Sequence, residues 1–195
     1  MSAIQTKKIS ESEYLKLERA AEYKSEYYKG EIFAMAGASY AHTVIVSNLL
    51  SLLNQKLKGR NCKPVGTDLR VHSPLNSLYT YPDVLVVCGK EEFKDDTFDT
   101  LLNPTFIAEV LSPSTANFDT GAKFMLYRSI LTLKEYWTIS SFGGPHIQKY
   151  VKHDHDSTWT FSETREQSGN ILLNTLELQI PLEDVYDKVV FSSVS

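Results

Sequence analysis

Tyr81-Pro82-Asp83-Val84-Leu85-Val86-Val87-Cys88 and Thr105-Phe106-Ile107-Ala108-Glu109-Val110-Leu111 decide the architecture. Each holds a continuous apolar run of strand length, the pattern of a strand covered on both faces rather than one half exposed to water. Each also carries an acid where an acid is costly: Asp83 at the mouth of the first run, Glu109 inside the second. An ionised carboxylate in such a place needs a basic partner, a set of donors or a bound cation, because unpaired burial is expensive. Two carboxylates converging from neighbouring strands repel each other unless positive charge stands between them. Oxygen-only ligation of that kind suits Mg²⁺ or Mn²⁺. The residues alone leave two plainer arrangements open, with Asp83 capping a turn and Glu109 paired to a core arginine.

Working outward, Ser112-Pro113-Ser114-Thr115 leads from the second run to a helix expected over about Thr120 to Leu131. Asp119, Lys123 and Tyr127 are spaced i, i+4, i+8 and so line one helix face. A lysine near the start of that helix can reach back to the end of the Glu109 strand; the plainer alternative is a surface ion pair between Asp119 and Lys123. Upstream, Ser10 with Glu13 forms a capping box for a first helix running to about Ala21, with Ile9 and Tyr14 as its hydrophobic staple. Residues 24–36 read as a hairpin turning at Lys29-Gly30. A second helix follows Ser39 and stops near Gly59, with Ile45, Leu49, Leu52, Leu53 and Leu57 at helical spacing. Cys62 to Val71 is extended with a break at Gly66, and residues 91–96 form a solvated loop. Downstream lie a strand over Tyr136 to Ile139, a turn at Gly143-Gly144-Pro145, a hairpin from His146 to Val151 and Thr158 to Phe161, and short strands over 171–173 and 176–180. The order from residue 40 onward predicts an α/β or α+β domain, helices on a mixed sheet.

The chain has 195 residues, net charge −4, and apolar and charged shares of 42% and 23%, ordinary for a globular protein. That length, with no linker or repeat, predicts one domain over residues 1–195. The acidic balance argues against a protein that coats nucleic acid, whose affinity rests on phosphate neutralisation. Residues 55–70 nevertheless carry Lys56, Lys58, Arg60, Lys63 and Arg70 against Asp68 alone, a basic edge on an acidic body that reads most simply as a solvated helix end and loop. Neither a signal segment nor a membrane-spanning run is evident, so a cytoplasmic location is expected. Cys62 and Cys88 match no C-x-x-C or zinc pattern and are expected as reduced core thiols. Gly-x-Ser-x-Gly, Walker and dinucleotide motifs are absent, which removes the usual non-nucleic-acid hydrolases and nucleotide enzymes.

Taken together, Tyr81-Pro82-Asp83-Val84-Leu85-Val86-Val87, Pro104 to Thr115 with Glu109 at its centre, then Asp119, Lys123 and Tyr127, then Glu135-Tyr136-Trp137 resemble the Uma family of restriction-endonuclease-like proteins. That family is part of the PD-(D/E)XK nuclease superfamily. The resemblance covers about residues 25 to 140, and Gly30-Glu31 and His42 also match family positions. It implies a restriction-endonuclease-like core at about residues 40–140, helix, three strands, helix, strand, with an N-terminal helix-hairpin and a C-terminal β extension. It implies an endonuclease, a hydrolase acting on phosphodiester bonds of nucleic acid, with DNA the expected polymer and a homodimer the expected assembly. Asp83 and Glu109 correspond to the two motif acids and would hold Mg²⁺ or Mn²⁺ with the carbonyl of Val110; Lys123 would orient or deprotonate the attacking water. One departure is plain: the superfamily's usual lysine lies two residues after the second acid, where this chain has Leu111, and Lys123 on the following helix takes its part. Glu31, His42, Asp119 and Tyr127 are candidates for the surrounding shell, Glu31 as a further carboxylate or as an anchor for Lys123; by themselves Glu31 also reads as a solvent-facing turn residue and His42 as a packing residue of the second helix. His153 and His155 read as a solvated loop. Tyr136 and Trp137 read as core. The displaced lysine and the acidic charge also suit a module that keeps the fold, binds nucleic acid and does not cut.

Overall fold

The structure is a computed structural model that describes residues 8–113, 116, 118–156 and 158–191. Its centre is a six-stranded sheet in the order β11-β10-β9-β8-β6-β3. The strands are β3 (Cys62–Gly66), β6 (Val84–Cys88), β8 (Phe106–Leu111), β9 (Glu135–Ser140), β10 (Ile147–Lys152) and β11 (Trp159–Thr164). Only β8 and β9 run parallel; every other neighbour is antiparallel. A second sheet, in the order β2-β1-β5-β4-β7, is built from β1 (Ser25–Tyr28), β2 (Glu31–Ala34), β4 (Arg70–Ser73), β5 (Leu78–Thr80) and β7 (Thr100–Leu101). A hairpin of β12 (Asn170–Leu173) and β13 (Leu178–Pro181), followed by α4 (Leu182–Val185), forms the C-terminal β extension.

The alternation of side chains along β6 and β8 sorts the core into two layers. Val84 and Val86 of β6, with Phe106, Ala108 and Val110 of β8, turn to one face and pack on Ile45, Leu49 and Leu53 of α2 (Tyr40–Lys56). Leu85, Val87 and Ile107 turn to the other face, against Phe124, Tyr127 and Ile130. Thus α2, β3, β6, β8, the helix after β8 and β9 give the expected sequence of helix, three strands, helix, strand, and the architecture is mixed α/β.

That helix departs from its expected bounds. It opens as a π-helical stretch over Phe118–Lys123, continues as α3 (Phe124–Tyr127), and ends four residues before Leu131. Ile130 and Leu133 are buried against the sheet, and bringing both inward draws the chain off the helix axis. The first helix keeps its expected form: α1 (Glu11–Ala20) begins at Ser10 with both halves of the capping box made. It docks on the second sheet through Tyr14, Leu15, Tyr27 and Tyr79, with Ile9 packed beside them.

Glu11 is the polar anchor of that docking. Burial alone would raise its pKa, but hydrogen bonds from Ser77, Tyr79 and Lys94 outweigh it and hold it at about 2 instead of 4.5. A depressed folded value means stability that is fully present above the unfolded value and lost as pH falls through the folded one. Urea unfolding of wild type should therefore lose stability between about pH 4.5 and 2, and Glu11→Gln should flatten that part of the curve.

The cysteines differ from expectation. Cys62 on β3 and Cys88 on β6 are direct register partners and form a disulfide across a separation of 26 residues. No local spacing announces such a pair, since only strand pairing brings the two residues together. A cross-link closing a loop of this size is expected to contribute about 3 kcal/mol, or about 6–12 °C in Tm for a chain of this length. Reductant should lower the Tm of wild type by that amount and leave a Cys62→Ser/Cys88→Ser variant unmoved.

Candidate active site

The register that pairs Val84 with Ala108 runs on by one step to set Asp83 across from Glu109. Residues directly opposite in an antiparallel pair share a face, with Cβ atoms about 5 Å apart. Glu109 follows the parity of Ile107, so it turns towards α3 rather than α2. It is 4% exposed, inside a wall of apolar side chains. Two groups from the helix meet it: Lys123 Nζ lies 3.0 Å from Glu109 Oε1, and the Tyr127 hydroxyl donates to the same oxygen at 2.7 Å. The superfamily's usual lysine position, Leu111, is simply core. Lys123 delivers its ammonium from the helix to the end of the strand, and Asp119, one π/α turn earlier, stands 3.5 Å from it. Asp119 and Lys123 are both buried, so this is no surface pair.

Asp83 is held from two sides. Its Oδ2 accepts from the backbone N–H of Val110 at 2.8 Å, and its Oδ1 lies 3.0 Å from His42 Nε2, which donates to it. His42 sits in the first turn of α2, where the Ser39 side chain caps its backbone N–H. The expected set of Asp83, Glu109, Lys123, His42, Asp119 and Tyr127 therefore meets at one place, at the end of β8.

Glu31 does not join it. It closes the β1–β2 hairpin as the partner of Tyr28 and is exposed. Glu26, near the other end of β1, takes the position instead: its Oε1 lies 3.1 Å from Lys123 Nζ and accepts a hydrogen bond from Thr80. The Thr80 hydroxyl is also 3.2 Å from that of Tyr127. Nothing in Ser25-Glu26-Tyr27-Tyr28 distinguishes Glu26 from a surface glutamate, because its contact depends on how the second sheet leans against α3. Asp68 is mostly exposed and pairs with Lys24 at 2.7 Å. Lys56, Lys58 and Lys63 of the basic segment are exposed, while Arg70 is buried against Tyr81, Thr100 and Asp99. His153 and His155 lie in the loop that joins β10 to β11, and Tyr136 and Trp137 are fully buried.

Three carboxylates, from Glu109, Glu26 and Asp119, lie within 3.5 Å of the Lys123 ammonium, and Asp83 adds a fourth beside Glu109. Burial pushes Glu109 up first; Lys123 pulls it down, and Asp83, Asp119 and Glu26 push it up again, to about 8. Burial would lower Lys123, but Glu109, Glu26 and Asp119 raise it well above its ordinary value, so it stays charged. The net result is a surplus of negative charge at the floor of an open cleft of about 1480 Å³. Such a surplus is what a divalent cation relieves. Among the described residues no three His, Cys, Asp or Glu side chains form a ready metal cage. Asp83 and Glu109 with a backbone carbonyl such as that of Val110 make a two-carboxylate oxygen set, which fits a cation that keeps several of its own waters. No helix among the described residues is long and apolar enough to cross a membrane.

A sequence profile, Uma2, described as "Putative restriction endonuclease", matches residues 11–183. Two proteins of Synechocystis sp. strain PCC 6803, both described as uncharacterized, are similar at 35% identity. One alignment spans 173 residues, 89% of this chain and 97% of the relative; the other spans 184 residues, 94% of each. A crystal structure from Anabaena variabilis ATCC 29413, described as "a putative nuclease belonging to DUF820", superposes with a TM-score of 0.76 at 19% identity, covering 93% of this chain and 99% of that one. At that identity the likeness is one of fold.

Proposed function

This chain belongs to the Uma2 family, whose description is "Putative restriction endonuclease", and from that membership and the cleft we propose that it is a metal-dependent endonuclease hydrolysing phosphodiester bonds, with DNA as the polymer. The observation that carries the reading is the meeting of Asp83, Glu109 and Lys123, distant in sequence, at the floor of one open cleft. Asp83 and Glu109, with the Val110 carbonyl, are the residues that would hold Mg²⁺ or Mn²⁺. When bound, such an ion neutralises phosphate charge and lowers the pKa of water.

The chain's own residues divide the remaining work. His42 and the Val110 N–H hold the Asp83 carboxylate towards Glu109. Tyr127 fixes Glu109 Oε1, leaving its carboxyl group turned to the cleft. Lys123 presents a positive charge where negative charge develops on the phosphoryl oxygens; a well-placed group of this kind contributes on the order of 3–4 kcal/mol. Glu26 and Asp119 flank the ammonium and set its position. Plasmid and single-stranded DNA incubated with the purified chain, with and without Mn²⁺, test the proposal. Cleavage that needs the ion and vanishes in Asp83→Ala, Glu109→Ala and Lys123→Ala supports it; equal cleavage by all four proteins, or none by wild type, refutes it.

A further inference from the structure

The cleft that holds Lys123 is ringed by aromatic side chains left open to solvent. Phe33, Phe98 and Phe118 line it and are 48%, 64% and 47% exposed. Single exposed apolar side chains call for no explanation, but several around one opening do. Two of them are tied to the catalytic floor and the third to a clamped loop. Phe33 is the direct register partner of Glu26, so it shares a face with the carboxylate that touches Lys123. Phe118 immediately precedes Asp119 on the helix that carries Lys123. Phe98 precedes Asp99 and stands at φ 57°, a left-handed conformation that a bulky L-residue adopts only under constraint. The constraint is visible. Arg19 clamps Asp95 and Asp99 on either side of Phe98, and the Phe93 ring meets the Phe98 ring edge-on at 5.3 Å. The loop is fastened so that a phenyl face is held out at the rim rather than folded in.

The charges around the same cleft are wrong for a duplex. Among its described lining residues only Lys24 and Lys123 are lysines or arginines, against six carboxylates. Lys24 is engaged by Asp68, and Lys123 lies at the floor beside Glu109 and Glu26, where it can face one phosphate and not a run of them. Duplex DNA places one phosphate charge about every 1.7 Å and binds proteins largely through Lys and Arg that neutralise them. A single strand carries about half that charge per length, one phosphate about every 3.4 Å, and its unpaired bases also offer apolar π-faces, on which aromatic side chains stack with little dependence on sequence.

Resting on the endonuclease reading, we propose that the substrate is single-stranded nucleic acid, its splayed bases stacked on Phe33, Phe98 and Phe118 and the backbone laid over Lys123. Fluorescence anisotropy with a labelled single strand of about 20 nucleotides, and with the same strand annealed to its complement, tests it on the full chain in Ca²⁺, with the probe checked for integrity. The single strand is expected to bind at least about tenfold more tightly than the duplex, and Phe98→Ala or Phe118→Ala to weaken single-strand binding by about 5- to 100-fold. Both positions are exposed, and circular dichroism checks that each variant is folded. Equal or tighter duplex binding, absence of binding to either probe, or unchanged affinity in both variants overturns the proposal. So does loss of a dimer in the phenylalanine variants without loss of affinity, which would make the rim a self-interface. Single-strand binding without any cleavage in Mn²⁺ upholds the stacking site and refutes the endonuclease; Mn²⁺-dependent duplex cleavage indifferent to Phe98 does the reverse.

Discussion

Asp83→Asn should reduce phosphodiester cleavage by about a thousandfold or more while leaving the fold intact. The substitution keeps the shape of the side chain and an oxygen that can still accept from the Val110 N–H, and it removes the charge. In the proposed site that charge is half of the cation's carboxylate set, so the loss should also appear in binding: calorimetric titration with Mn²⁺ should show clear uptake by wild type and strongly weakened uptake by the variant. Thermal unfolding without metal should be nearly unchanged or slightly improved, because a charge that repels the neighbouring Glu109 carboxylate is gone. Cleavage by Asp83→Asn at the wild-type rate would locate the activity elsewhere.

Lys123→Met should act on both stability and activity. Lys123 is 6% exposed, and its ammonium is the positive charge among Glu109, Glu26 and Asp119. Removing one partner of a buried ion cluster leaves the others uncompensated and typically costs about 3–5 kcal/mol. For a chain of this length that is roughly 10 °C in Tm. Methionine fills most of the same volume, so a cavity does not explain such a loss. The double variant Lys123→Met/Glu109→Gln should regain part of the stability, since it removes the charge that Lys123 lies nearest to, and it should stay inactive. A Tm for Lys123→Met within a degree or two of wild type would show that the cluster is already neutralised by protonation and that Lys123 is dispensable to the fold.

The contrast between Glu26 and Glu31 shows how far residue order alone carries. Both lie in the first hairpin, and the family resemblance points to Glu31, whose place after the Lys29-Gly30 turn reads by itself as a solvent-facing turn residue. Strand pairing reverses the choice, leaving Glu31 at the turn and turning Glu26 towards Lys123. Cys62 and Cys88 are a second case: two thiols with no local motif become register partners across β3 and β6. The aromatic rim is a third, assembled from β2, the loop before β7 and the start of the π-helical stretch.

From residue order alone came the capped first helix, the hairpin, the helical spacing of α2, the two buried strands with their misplaced acids, and the alignment of Asp119, Lys123 and Tyr127 on one face. These are local properties, set by turn chemistry, capping and the periods of helix and strand. Tertiary structure alone decided which second-sheet carboxylate meets the lysine, which cysteines join and which aromatics face the cleft. Those outcomes depend on register and on how two sheets lean on one helix, and they bring together residues whose separation along the chain carries no trace of their contact.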